Sequence, residues 1–203
     1  MKKFLMHLAC GLSFALSGAV YATTGDPVAG ESKALVCAAC HGADGNALAP
    51  TFPKLAGQHA DYTAKQLAEF KSGARANAIM MPQAAGLSDQ DMADLAAFYA
   101  AQKGSVGVAG EGAVPQGEAI YRAGIPGSGT PACASCHGAN GSGIPGAGFP
   151  QLSGQHASYI AAQLRAFRDG SRNTDPNGVM RTAAKRMTDA EIDAVSAYIQ
   201  GLF

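Results

Sequence analysis

The chain is written twice. Cys37-Ala-Ala-Cys40-His41-Gly42-Ala43 returns as Cys133-Ala-Ser-Cys136-His137-Gly138-Ala139, 96 residues further on. "FPKLAGQHADY" (Phe52 to Tyr62) returns as "FPQLSGQHASY" (Phe149 to Tyr159) at an offset of 97, and "LSDQDMADLAAFY" (Leu87 to Tyr99) as "MTDAEIDAVSAYI" (Met187 to Ile199) at 100. Order and spacing persist from end to end, so two copies of one domain are expected, residues 23–103 and 117–203. The Gly- and Val-rich stretch 104–116 has few large side chains for a core and reads as the linker.

Each copy reads as helix, loop, helix, loop, helix. Leu67 with Phe70, and Leu164 with Phe167, recur at helical spacing. The last helix of each copy carries a capping pattern, Ser88 with Asp91 and Thr188 with Glu191. One apolar face follows it, Met92, Leu95 and Tyr99 in the first copy and Ile192, Val195 and Ile199 in the second. No stretch sustains period-2 alternation, so the fold class is all-α. Residues 1–22 read as a secretory signal peptide, with Lys2 and Lys3, an apolar run from Leu8 to Val20 and small residues at Val20-Tyr21-Ala22. That run falls short of the ~20 residues a bilayer span needs, which favours export to a periplasm-like compartment over an anchor. Cys10 leaves with the signal, and four cysteines remain. The 15 basic and 15 acidic residues cancel, so there is no nucleic-acid-binding signature.

Two thiols and an imidazole within five residues admit three chemistries. A zinc site would need a second ligand pair at short range, and here the pairs stand 96 residues apart. A dithiol redox motif expects a βαβ context and leaves the histidine without a role. A covalently attached c-type haem uses every residue, with thioether bonds from Cys37 and Cys40, and from Cys133 and Cys136, and an axial iron ligand from His41 or His137. A large macrocycle would also complete the thin core of a domain of about eighty to ninety residues.

The second axial position decides between electron transfer and chemistry on a bound substrate. His59 and His156 match each other but open the middle helix, where a polar residue at the helix start or haem rim is expected. Counting back from the capped helix aligns Met80 with Met180, seven residues before Leu87 and Met187 respectively. Met81 falls opposite Arg181, which cannot ligate, and Met187 falls opposite Leu87 as a core residue. Met80 and Met180 are therefore the expected ligands, with Met81 the one residue placed to replace Met80. Gly141-Ser-Gly143-Ile-Pro-Gly146 spells a dinucleotide loop but follows a haem motif rather than a strand, and reads as a wrapping loop.

Two copies of Cys-x-x-Cys-His, then "FPxLxGQ", a methionine loop, and a final "AAFYAAQKG" or "SAYIQGLF" helix resemble the diheme cytochrome c4 family, two tandem class I c-type domains. The resemblance implies two covalently bound c-type haems, with thioethers at Cys37, Cys40, Cys133 and Cys136 and iron ligands His41, Met80, His137 and Met180. It implies a proline carbonyl, within Pro53 to Gly57 or Pro150 to Gly154, accepting the proximal imidazole N–H. It also implies two facing lobes with haem propionates near the interface, and a soluble or loosely membrane-associated periplasmic carrier passing electrons from an upstream donor toward a terminal oxidase. The same motifs would serve the haem subunit of a larger dehydrogenase, for example a flavin-linked one. A di-haem peroxidase would need one displaceable ligand, against which the matched methionines argue.

Charge distinguishes the copies. Residues 23–103 carry six basic and eight acidic side chains, whereas 104–203 carry seven of each. Arg172, Arg181, Lys185 and Arg186 surround Met180, and the stretch after Met80 has no charge. A cation near the iron disfavours the oxidised state, so the C-terminal haem is expected at the higher potential, with a basic rim suited to an acidic partner. The thin core yields the first prediction. Expressed without haem attachment, or with His41 and His137 replaced, the chain is expected to be protease-sensitive; a protease-resistant apoprotein would show that the helices close their own core.

Overall fold

A computed structural model describes residues 24–109 and 114–203; the signal segment 1–22 lies outside them. Each half forms a helical lobe. The first holds α1 (Pro27–Ala34), α2 (Ala38–His41), α3 (Ala60–Ser72), α4 (Met80–Ala85) and α5 (Asp89–Ala101). The second repeats them as α6 (Val114–Ala123), α7 (Ala134–His137), α8 (Ala157–Asp169), α9 (Val179–Ala184) and α10 (Asp189–Gln200), with a 3₁₀ turn at Pro176–Gly178. Among the described residues the only β pairing is two isolated bridges, Ile125 with Thr130 and Ile144 with Phe149. The all-α expectation is met, and each lobe adds two short helices to the three read from periodicity. Helix α6 opens at Val114, inside the stretch read as linker.

The frame of each lobe is the crossing of its first and last helices. Gly30 and Gly117 make the crossing close: a Cβ at Gly30 would stand 2.1 Å from Asp94 O, and one at Gly117 2.2 Å from Ala194 O. Both capping boxes form, Ser88 with Asp91 and Thr188 with Glu191. The faces anticipated for α5 and α10 are buried, Met92, Leu95 and Tyr99 in one and Ile192, Val195 and Ile199 in the other, and Met187 joins the second core.

Aligning the lobes on their glycines shows what the repeat conceals. Ala34 on α1 faces Tyr99 on α5, whereas at the matching places the C-terminal lobe has Tyr121 on α6 and Ile199 on α10, so the large side chain has changed helix. The N-terminal lobe also closes its crossing with charge. Asp94, 3% exposed, accepts from Asp26 N at 2.8 Å, Lys33 Nζ at 2.5 Å and Gln90 Nε2 at 2.7 Å. Led by the Asp26 amide, these donors hold its carboxyl down at about 2. At the matching positions the C-terminal lobe has Ile120 and Ala194, both buried.

The stretch after α5 is pinned between the lobes. Ser105 N donates to Asn46 Oδ1 at 2.7 Å and Lys54 Nζ to Ser105 O at 2.9 Å on one side; Gly107 N donates to Gln200 O at 3.1 Å on the other. Gly141 to Gly146 is a loop with no strand before it among the described residues, unlike a dinucleotide loop. Gly141, Gly143 and Gly146 take positive φ of 72, 72 and 75°, and Gly146 N donates to Asp61 Oδ2 of the other lobe at 2.9 Å.

The helix crossing yields the second prediction. Gly30→Ala and Gly117→Ala each force backbone apart and should cost ~1–3 kcal/mol in denaturant unfolding. Gly86→Ala, with nothing within 4 Å of its Cβ, should be neutral. Equal stability of all three would show that the crossing relaxes freely.

Candidate haem sites

Helices α2 and α7 are single turns, each begun by the first cysteine of its motif and ended by the histidine. The turn closes with His41 N donating to Cys37 O and His137 N to Cys133 O, both at 2.9 Å. It stops at Gly42 and Gly138, both with φ of 81°, a left-handed backbone that glycine adopts without strain. The short turn keeps both thiols and the imidazole in one neighbourhood, and all four cysteines are free and half-buried. Burial pushes the Cys37 thiol up, and the Cys133 thiol up to about 11. They are the reverse of the depressed thiol a dithiol redox centre relies on. Among the described residues no three His, Cys, Asp or Glu side chains are grouped to hold a metal ion.

Both imidazoles are buried, 5% exposed, and oriented from the same side. His41 Nδ1 meets Pro53 O at 2.8 Å and His137 Nδ1 meets Pro150 O at 3.0 Å, the proline contact the family resemblance implied. A carbonyl can only accept, so Nδ1 carries the proton and Nε2 keeps its lone pair. Burial lowers both histidine pKa values, which keeps the rings neutral. His137 Nε2 is buried with no hydrogen-bond partner. Phe52 and Phe149 stand edge-on to the rings, at centroid distances of 6.3 and 6.0 Å. A neutral imidazole with a fixed, unpartnered Nε2 beside two free thiols fits a thioether-bound haem iron.

The methionine loops are short helices, not coil. Met80 is the first residue of α4, and its amide and that of Ile79 donate to Asn77 Oδ1 at 2.8 and 2.9 Å. Met180 is the second residue of α9, where Asp175 Oδ2 accepts from Arg181 N at 3.0 Å. Both methionines are half-buried; Met81 is 38% exposed. His59 and His156 are the residues before α3 and α8, and His156 Nε2 lies 2.8 Å from Ala47 O of the other lobe.

The cationic rim is weaker than its sequence promised. Arg172 is buried at the lobe interface and has a mate in Arg75, 97 residues earlier. Arg75 donates to Gln66 Oε1, Tyr159 OH and Gln163 Oε1 at 2.6, 3.0 and 2.7 Å. Arg172 answers with Gln163 Oε1, Tyr62 OH and Gln66 Oε1 at 2.9, 3.0 and 2.8 Å. Each guanidinium lies over its own lobe's phenylalanine, Phe70 at 4.6 Å and Phe167 at 4.5 Å. Arg181 is paired with Asp175 at 2.8 Å, so among the described residues Lys185 and Arg186 are the two exposed rim charges of the four left without an ion pair. The six-residue interface network went unread, although all its members recur at the 97-residue offset. Neither arginine has a carboxylate partner among the described residues, and Arg172 Nε is buried without any partner, as suits a site whose cofactor brings carboxylates.

The profile of the family described as Cytochrome c matches residues 29–101 and 114–203. The chain is 49% identical over 203 residues to cytochrome c4 of Pseudomonas aeruginosa, covering 100% of both chains. It is 42% identical over 170 residues to the thiosulfate dehydrogenase electron acceptor of Stutzerimonas stutzeri, covering 81% of this chain and 78% of that one. Among solved structures, reduced recombinant cytochrome c4 from Pseudomonas stutzeri superposes with a TM-score of 0.86 at 47% identity, covering 89% of this chain and 100% of that one.

The third prediction concerns the sixth ligands. Met80→Ala and Met180→Ala should each remove the methionine-to-iron band near ~695 nm from one haem of the holoprotein, while Met81→Ala should leave both. Loss of a band in Met81→Ala would move the ligand by one residue.

Proposed function

The chain belongs to the diheme cytochrome c4 family of cytochromes c, carries two covalent c-type haems and is an electron carrier; on that footing we propose how its residues serve the role and where it acts. His41 and His137 are the proximal iron ligands, Met80 and Met180 the distal ones, and Cys37, Cys40, Cys133 and Cys136 the thioether anchors. When bound, the haem supplies a one-electron couple at iron. The protein's part is to hold its ligands still. The Pro53 and Pro150 carbonyls set the plane of each imidazole and keep its proton on Nδ1, the short turns keep anchors and ligand together, and Asn77 and Asp175 fix the starts of the methionine helices. Small reorganisation on oxidation follows, and no bond to a substrate is made or broken.

The observation that carries this reading is the match between lobes. Each has a fixed histidine and a methionine in the corresponding short helix, so neither iron keeps a position for peroxide or another substrate. His/Met ligation also raises the potential, as a donor to an oxidase requires. We place the protein in the periplasm, exported by residues 1–22, between an upstream donor and a terminal oxidase. Among the described residues no helix is long and apolar enough to cross a membrane. A second reading, a haem partner of a larger dehydrogenase, is favoured by the relative named as a thiosulfate dehydrogenase's electron acceptor.

The fourth prediction tests both. Oxidised holoprotein should be low-spin at both haems and should not turn over hydrogen peroxide; a high-spin signal with peroxide consumption would make it an enzyme. Pull-down from periplasm and membranes should recover an oxidase with the carrier, whereas a stoichiometric dehydrogenase in its place would establish the second reading.

A further inference from the structure

Each "GQH" segment contains a glutamine that crosses to the other lobe. Gln155 Oε1 accepts from Lys54 N and its Nε2 donates to Lys54 O, both at 2.9 Å. Gln58 repeats the grip on Gln151, accepting from its N at 2.9 Å and donating to its O at 3.0 Å. Each Oε1 also accepts from the amide that follows it, His156 N or His59 N, at 3.0 Å, which fixes the orientation of the carboxamide. Both glutamines are buried.

The residue gripped is not arbitrary. Lys54 N–H belongs to the same peptide group as Pro53 C=O, whose oxygen accepts His41 Nδ1–H at 2.8 Å. Gln151 N–H likewise shares its peptide group with Pro150 C=O, which accepts His137 Nδ1–H at 3.0 Å. One chain therefore runs from the imidazole of the first lobe through a single peptide plane to the carboxamide of the second, and its mirror runs the other way. Accepting from the peptide N–H pushes electron density onto the peptide oxygen, so the two hydrogen bonds strengthen each other. A stronger acceptor at Nδ1–H makes Nε2 more basic.

We propose that Gln155 and Gln58 are crossed positioning residues: each tunes, through one peptide group, the proximal histidine of the opposite lobe. This rests on His41 and His137 being the iron ligands. A more basic imidazole favours the oxidised state, so each grip lowers the potential of the haem across the interface. Other lobe-to-lobe bonds, among them His156 Nε2 with Ala47 O at 2.8 Å, Ser158 Oγ to Pro50 O at 2.6 Å, Gly146 N to Asp61 Oδ2 at 2.9 Å and those of Arg75 and Arg172, hold the lobes together without touching those two peptide groups. Removing a glutamine therefore tests tuning separately from docking.

The experiment is a redox titration of the holoprotein and of Gln155→Met and Gln58→Met, with the haems told apart by the NMR signals of their own methyl groups. Gln155→Met should raise the N-terminal haem only and Gln58→Met the C-terminal haem only. The expected change is about twofold in the reduced-to-oxidised ratio at fixed potential, or about 18 mV at ~59 mV per tenfold. Amide exchange at Lys54 should accelerate in the first variant and at Gln151 in the second. Unchanged amide exchange would show that the bond is not made. Accelerated exchange with unmoved, uncrossed or equal shifts at both haems would show that the grip holds the lobes and tunes nothing. Where a methionine variant fails to fold, Gln155→Asn or Gln58→Asn withdraws the acceptor by one methylene and is read in the same way. Failure of histidine ligation itself would appear in the spectrum of the unsubstituted holoprotein, before any variant is made.

Discussion

The bond from imidazole Nδ1 to a proline carbonyl organises both lobes. It needs the histidine at the end of a one-turn helix, hence the glycine at φ of 81° that stops the turn. It needs the Phe-Pro segment to return under that turn, which the glycine-rich loop between them allows: Leu55 N and Ala56 N both donate to Gly45 O, at 2.7 and 3.1 Å, and Leu152 N and Ser153 N repeat this on Gly141 O. Because the carbonyl can only accept, the bond also decides the tautomer and leaves Nε2 with its lone pair, the state an iron ligand needs. Helix packing serves this arrangement, since α5 and α10 receive the loops through Gly57 N to Tyr99 O at 2.9 Å and Gly154 N to Ile199 O at 3.2 Å.

What could be read in the chain was whatever depends on order along it. Cysteine spacing, capping boxes and the apolar faces of α5 and α10 are local patterns, and the repeat raised each from a suggestion to a pair of agreeing observations. The preference for Met80 over Met81 rests on the same kind of agreement, Arg181 standing opposite Met81, and the ligand variants decide it. The interface was not. Gln58, Tyr62, Gln66 and Arg75 recur as Gln155, Tyr159, Gln163 and Arg172, but doubling alone does not say whether a side chain serves its own lobe or the other. The reading of Arg172 as a cation peculiar to the second lobe failed through register. Three more residues separate it from Met180 than separate Arg75 from Met80, so the offset valid at the capped helix does not hold upstream of the loop.

The lobes differ in two ways: a large side chain moves from one helix to its neighbour, and an ion pair in one lobe gives way to apolar residues in the other. Tyr99 against Ala34 becomes Ile199 against Tyr121, which keeps a phenol in each core but alters its partner. Tyr121 OH donates to Gly138 O at 2.6 Å, whereas Tyr99 OH is buried without a partner among the described residues. The Lys33–Asp94 pair becomes Ile120 and Ala194, so one lobe closes its crossing electrostatically and the other by apolar contact. The ion pair, with Lys33 partly exposed and also bonded to Asp91, weakens when Asp94 is protonated, while an apolar contact is not sensitive to pH at all. The two lobes thus share a ligand geometry and differ in what stabilises it, which is how one fold can hold two redox centres in unequal surroundings.

The interface reaches the same conclusion from the opposite direction. Arg75 and Arg172 are two like charges, 7 and 8% exposed, held by amide and phenol oxygens. Neutral acceptors satisfy N–H groups but do not offset charge, and two like charges in a buried contact repel each other. Cation–π contacts with Phe70 and Phe167 recover only part of that cost. Glu69, which accepts from Gln66 Nε2 at 2.9 Å, brings one carboxylate of the chain to the edge of this network, and the haem propionates that the family resemblance implies at the interface would add more. With the propionates placed there, the group that completes each core would also offset the interface charge, and attachment of haem, closure of a lobe and docking of the lobes would be linked steps of one equilibrium.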